Sequence, residues 1–252
     1  MKLSTTITAL AFCLLFVCSY SHEIFAQEVE SVKPFDQLVV SPYIDLILSK
    51  GPFETVRFEA DNVPLEKVQV KVTGKTLRIY LDQAKVVPKQ RKHIGNGYKY
   101  RTSIYEGAKV TAYVTYRDLE KLEIRGEQDV FVKDPLQQDK FKLKLFGASR
   151  VDMAGLQTRR LKAVLYGEND LYVKSGQIDT QIYRSYGENV VNAQQIKGKV
   201  ARTRLYGESA LKLDVAESLK VSALGESEVI YSGNPRLNKG LIIGASIRRT
   251  KD

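Results

Sequence analysis

The chain has 252 residues, with 39 lysines and arginines against 29 aspartates and glutamates, a net charge of +10 and only 2 cysteines. Both cysteines, Cys13 and Cys18, lie in the first apolar run, so removing that run excludes a disulfide, a thiolate nucleophile and a cysteine metal site. A basic exported chain is expected to meet anionic glycan or lipid headgroups. Nucleic acid is not an expected partner, since no nucleic-acid-binding signature is present and the basic residues are scattered among acidic ones.

In chain order, Lys2 supplies the charge of a signal peptide, and Ile7 to Cys18 form an apolar run too short to cross a bilayer. Ile24-Phe25-Ala26 is a fitting cleavage site. Residues 1–26 are therefore read as a signal peptide, with a mature start near Gln27 and export to the periplasm, the cell surface or the medium. Phe12 before Cys13 and Val17 before Cys18 disfavour a lipoprotein acceptor. No transmembrane segment is expected in the mature chain, whose roughly 226 residues suffice for one extended repeat domain or two modest ones.

Residues 27–120 read as an all-β N-terminal segment. Leu38-Val39-Val40, Ile44-Asp45-Leu46-Ile47-Leu48, Val56-Arg57-Phe58-Glu59, Val68-Gln69-Val70-Lys71-Val72 and Leu77-Arg78-Ile79-Tyr80-Leu81 are short runs rich in β-branched residues, separated by turn residues. An insertion at 83–107 interrupts them. It carries Lys85, Lys89, Arg91, Lys92, Lys99 and Arg101 against Glu106, with Tyr98, Tyr100 and Tyr105 interleaved. That composition suits an anionic polymer; the plainer reading, which is favoured, is a solvated hairpin or loop.

Residues 121–252 carry the main signal. Gly126, Gly147, Gly167, Gly187, Gly207 and Gly225 recur roughly every 20 residues, with Gly244 as a weaker seventh, the mark of stacked coils. Apolar residues alternate with strand period, not helix period. Alternate residues of a strand share a face, so Leu161, Ala163, Leu165, Asn169, Leu171 and Val173 point inward. Lys162, Val164, Tyr166, Glu168, Asp170 and Tyr172 point outward. One coil cannot bury its apolar face alone, so neighbours must stack. The expected fold is all-β, a parallel β-solenoid of coils of about 20 residues, with the N-terminal segment in the same or an adjoining stack. The segment 35–82 is expected to cover the first coil. The tail from Leu241 to Ile247, blunted by Arg248, Arg249 and Lys251, is expected to close the last.

Stacking turns each position into a column. The inward column Gln128, Ser149, Asn169, Asn189, Ser209, Ser227 and Ser246 is expected to be a buried polar ladder, because buried polar groups need partners. An aromatic outward column holds Phe146, Tyr166, Tyr186 and Tyr206 and ends in Leu224. Beside it runs an acidic one, Glu127, Glu168, Glu188, Glu208 and Glu226, interrupted by Ala148. Lys142, Lys162, Arg202 and Lys220 form one basic column, and Lys144, Arg184 and Arg204 another. The candidate binding strip is Tyr166, Tyr186, Tyr206, Glu168, Glu188, Glu208, Arg184 and Arg204. Ring faces there would stack on sugar faces while charged groups take hydroxyls. The alternative, ordinary strand dressing repeated by the solenoid, is the favoured one.

No catalytic set is expected. His93 is the sole histidine after residue 26, and no serine–histidine–acid set forms around it. Zinc, phosphate-loop and dinucleotide motifs are missing from the sequence. Asp152, Asp170 and Glu228 are the carboxylates that a glycosidase or lyase on such a scaffold would draw on. No metal or cofactor is expected.

The blocks Phe35-Asp36-Gln37-Leu38-Val39-Val40, Ile44-Asp45-Leu46-Ile47-Leu48, Phe58-Glu59-Ala60-Asp61-Asn62 and Leu77-Arg78-Ile79-Tyr80, the recurring Gly-Glu-Asn and Gly-Glu-Ser turns, and Gly233-Asn234-Pro235 resemble the putative auto-transporter adhesin, head GIN domain family, over about residues 33–247. The resemblance implies an exported, pectin-lyase-like, right-handed solenoid without a catalytic set, and a cell-adhesion role. The sequence ends at Asp252 without a C-terminal membrane barrel, so periplasmic residence is expected beside surface display. The leading expectation is a non-catalytic envelope protein that binds a polysaccharide or another envelope component. The runners-up are a carbohydrate-active enzyme and a purely structural periplasmic protein.

Overall fold

The computed structural model describes residues 29–86, 89–95 and 98–250, with the side chains of residues 92–95 and 98–100 left aside. The signal peptide expected at residues 1–26 lies outside the described residues. The described chain is a parallel β-solenoid of about 6 turns. An 11-stranded sheet (sheet I) and a 10-stranded sheet (sheet II) run its length. The one helical element among the described residues is the short 3-10 turn Leu65–Lys67.

Each coil is a long strand, a glycine corner and a short strand. In one coil Leu136–Gly147 lies in sheet II and Arg150–Met153 in sheet I; in the next, Leu156–Gly167 and Asp170–Val173 take the same places. Pairing holds the 20-residue phase: Leu145, Leu165, Ser185 and Leu205 stand above one another, as do Phe146, Tyr166, Tyr186 and Tyr206. The ladder skips Asp139 and Arg159, where two exposed residues in succession break the alternation and the long strand bends.

The glycine corner is required by sterics. These glycines have φ between +103° and +117° from Gly126 to Gly225, a region that L-residues with a Cβ avoid. A Cβ at Gly207 would also lie 2.8 Å from the Gly187 carbonyl oxygen. Just past the corner, the expected ladder is present. The Asn169 amide N–H donates to Asn189 Oδ1 (3.0 Å), and Asn169 Nδ2 donates to the same oxygen (2.9 Å). Ser149 and Ser227 Oγ donate to the carbonyls of Gly126 and Gly207, at 2.9 and 2.8 Å. Gln128 through Ser227 are buried, but Ser246 is exposed, because no further coil covers it.

The N-terminal strands enter the same stack out of order. Gln37–Val40 lies between Thr76–Leu81 and Lys121–Gly126 in sheet II, and Ile44–Lys50 between Lys109–Tyr116 and Asp129–Val132 in sheet I. The expectation that 35–82 covers the first coil is therefore refined. Residues 37–50 are a coil, and the end is closed by antiparallel Thr55–Asp61 on Lys109–Tyr116 and Val68–Thr73 on Thr76–Leu81. An antiparallel strand ends a parallel stack because it faces the next coil in the wrong sense. At the other end, Arg236–Ile243 and Ser246–Arg249 make the last coil. Leu237, Ile242, Ala245 and Ile247 are only partly buried there. Arg248 pairs with Glu228 at 2.6 Å, and Lys251 lies outside the described residues.

The insertion is a separate two-stranded hairpin, Gln90–Gly95 with Tyr98–Ser103. Tyr105 at its base is an anchor rather than a surface ring. It is buried, stands 6.2 Å from the Tyr43 ring, and donates to the Asp82 carbonyl at 2.7 Å. The side chains of Lys92, His93, Tyr98, Lys99 and Tyr100 lie outside the described residues.

Candidate binding surface

The outer face of sheet II is built by strand alternation. Between inward Leu143, Leu145, Leu161 and Leu165 stand the outward residues of each column. Phe146, Tyr166, Tyr186 and Tyr206 form the stacked aromatic column that the period implies. Their ring centroids are 5.3, 4.5 and 5.2 Å apart, and each pair is within 4° of parallel. This corrects one expectation. The ring faces are turned along the solenoid axis and cover one another, so they do not lie open to a sugar face. Strand spacing of about 4.8 Å, close to ring contact distance, forces identical side chains into this stack. The column instead presents ring edges to solvent, with Tyr166 and Tyr206 40% and 45% exposed. Val164, outward by alternation, is nearly covered. It sits in register between Lys144 and Arg184.

Arg184 and Arg204 stand in register two residues before Tyr186 and Tyr206, on the same outward face. The glutamates lie past the corner. Glu168, Glu188 and Glu208, with Glu226, line a groove completed by Arg150, Asp170 and Glu228, and no tyrosine lines it. Glu127 belongs to a neighbouring groove with Asp45, Lys109 and Asp129, separated where Ala148 interrupts the column. The structure thus groups the tyrosines with the arginines and gives the glutamates a wall of their own.

The sequence reading did not single out Glu123. It is buried, and it meets Arg125 at 2.5 Å, Lys121 at 2.9 Å and Lys144 at 3.6 Å. Burial alone would raise its carboxyl, but hydrogen bonds from Lys121 and Arg125, and their charges, outweigh this and hold it at about 2. The signal was legible in Lys121-Leu122-Glu123-Ile124-Arg125, since alternate residues share a face. Beyond Glu123 the face is cationic and unpaired. Among the described residues no carboxylate lies within ion-pair distance of Lys142, Lys162, Arg184, Arg202, Arg204 or Lys220.

Elsewhere charges are interleaved. Arg159 pairs with Asp139, and Lys199 with Asp179, in adjacent coils at the bend of the long strand. Two of the carboxylates considered for catalysis are also held by arginines, Asp152 by Arg150 at 2.8 Å and Glu228 by Arg248. Asp170 opens into the acidic groove. No helix among the described residues is long and apolar enough to cross a membrane.

Comparison with known proteins agrees with this architecture. The crystal structure of a putative adhesin from Bacteroides fragilis NCTC 9343 superposes with a TM-score of 0.73 at 18% identity, covering 88% of this chain and 95% of that one. A putative adhesin from Parabacteroides merdae ATCC 43184 gives 0.64 at 14% identity, over 89% and 95% of the two chains. A putative lipid binding protein from Parabacteroides distasonis ATCC 8503 gives 0.59 at 16%, over 89% and 96%. At such identities the likeness is one of fold. No curated protein sequence matches significantly. The family described as "Putative auto-transporter adhesin, head GIN domain" matches residues 34–235, which takes in the N-terminal coil, its antiparallel closure and the repeats up to the last coil, and the chain belongs to that family.

Proposed function

We propose that this protein is a non-catalytic, exported adhesin-type module that binds an envelope or extracellular polysaccharide through the outer face of sheet II. The observation that carries this reading is the register of Tyr166, Tyr186 and Tyr206 with Arg184 and Arg204. Tyrosine hydroxyls and guanidinium groups repeat there at the coil spacing. A polymer of repeating hydroxylated units meets tyrosine hydroxyls on three successive coils and guanidinium groups on two of them, so weak contacts add along its length. Exposed contiguous aromatic surface marks an interaction site more often than chance. The contact proposed is with ring edges and hydroxyls, because the stack occupies the ring faces. Glu168, Glu188 and Glu208, around the corner, would meet the hydroxyls of a chain that wraps past Gly167, Gly187 and Gly207. Family membership supports an adhesin role and, with it, an exported or surface location.

The test is a glycan array probed with mature protein, beside a reducing-end release assay on the hits. Binding without release is expected, and changing Tyr166, Tyr186 and Tyr206 together to Ser should lower it at least about tenfold. Turnover of a bound glycan would make the protein an enzyme. Silence across neutral and acidic glycans would favour a purely structural role.

A further inference from the structure

At the foot of the outward face of sheet II, cations stand above one another. Lys142 is in register with Lys162, Lys140 with Arg160, and Lys121 with Lys142. At the foot of this face Lys121, Lys140, Lys142, Arg160 and Lys162 line an open groove of about 340 Å³, floored by the buried Phe141, with Gln37 and Glu120 at its rim. Glu123 satisfies Lys121, but Lys140, Lys142, Arg160 and Lys162 have no ion-pair partner among the described residues. Thr180 and Ile182 end these rows one coil above, and cations reappear beyond them, with Arg204 in register with Arg184 and Arg202 with Lys220.

We infer that this groove binds an acidic polysaccharide, one whose carboxylate or sulfate groups repeat along the chain and seat between cations of successive coils. The inference rests on the reading of the protein as a glycan-binding module and names the class of glycan.

Like charges stacked about 4.8 Å apart repel by roughly 1 kcal/mol per pair even at the dielectric of water. Glu123, paired with Lys121 and Lys144, offsets only part of this cost. At Lys142 burial first, and then the charges of Lys144, Lys162 and Lys121, push the pKa down, against the smaller pull of Glu123. A bound anion removes the repulsion, which no surface of alternating charge would need. A polymer fits better than a lone anion because the cations of the groove span three successive coils.

Two other polyanions fit less well. Single-stranded nucleic acid binds basic grooves through bases stacked on open aromatic faces, and here the rings cover one another. An anionic membrane would call for apolar residues beside the cations. The exposed Leu224, Leu241 and Ile243 lie in the last coils, away from the groove.

The experiment uses mature protein, residues 27–252, and five probes: polygalacturonate, dextran sulfate, neutral dextran, oligo-deoxythymidine and phosphatidylglycerol vesicles. The variants are Lys142→Gln with Lys162→Gln and, at exposed positions, Lys140→Gln with Arg160→Gln. Polygalacturonate or dextran sulfate should bind, and affinity should fall at least about tenfold between roughly 50 mM and 500 mM salt, as screening requires. Each double variant should weaken binding about tenfold or more, while melting stays level or rises as repulsion is relieved. The inference is overturned if both variants bind acidic glycan like the parent, or if oligonucleotide or vesicles bind more tightly than either acidic glycan. If neutral dextran binds as well as the acidic glycans, the acidic class fails while the glycan-binding reading stands. If no glycan binds, neutral or acidic, both fail.

Discussion

The two long walls of the solenoid share one core and differ in their outward residues. On the outer face of sheet II, tyrosine rings stack and unpaired lysines and arginines form rows. Around the glycine corner, carboxylates line the groove, and sheet I carries paired charges such as Arg150 with Asp152 and Arg248 with Glu228. Both walls are held by the same inward leucines, valines and polar ladder. Shape and stability therefore reside in the inward alternation and the glycine period, whereas any specificity resides in the dressing. A solenoid permits that separation because an outward side chain meets solvent and its neighbours on the same face, not the core.

This division can be broken from the inside first. Gly207→Val adds a branched Cβ where φ is +111° and where the Gly187 carbonyl oxygen stands 2.8 Å away. It should cost at least about 3 kcal/mol, seen as a large drop in melting temperature. A variant that melts like the parent would show that the corner tolerates another geometry.

Glu123 tests a residue that belongs to both sides, outward in phase yet buried. Its carboxyl is depressed from an ordinary 4.5 to about 2, so the stability it contributes is complete above pH 4.5 and is lost as pH falls toward 2. Glu123→Gln should destabilise at neutral pH by about 2 kcal/mol, since three cations lose their counter-charge. The loss should shrink on acidification across that window, measured by denaturant melts at several pH values. A pH-independent difference would mean that the pairing does not set the effect.

The smallest effect is expected in the aromatic column. Tyr186→Ser removes two stacked contacts, at 4.5 and 5.2 Å, and should cost about 1 kcal/mol, less than either change above. A loss as large as that of Gly207→Val would place the rings with the core rather than with the dressing.

Much of this was legible in the chain. The period from Gly126 to Gly225 and the alternation around Leu165 imply the coil, its inward residues and the ladder from Gln128 to Ser227, because a strand's side-chain period is two and stacked coils repeat it in register. The outward columns follow from the same arithmetic. Which column shares a surface with which did not follow. Tyr166 and Glu168 are two residues apart, yet the positive φ of Gly167 turns the chain between them, so they line different walls. The insertion of residues 37–50 between later strands was also hidden, since pairing between distant segments leaves no local mark.

The sequence by itself determined the fold class, the coil length and the inward face, since these depend on steric and hydrophobic rules acting over a few residues. Only the tertiary structure decided that the tyrosine rings cover one another and that Lys144 of the next coil joins Lys121 and Arg125 around Glu123. Those are properties of neighbours about 20 residues apart in sequence and about 4.8 Å apart in space, and charge and ring geometry at that distance exist only once the coils are stacked.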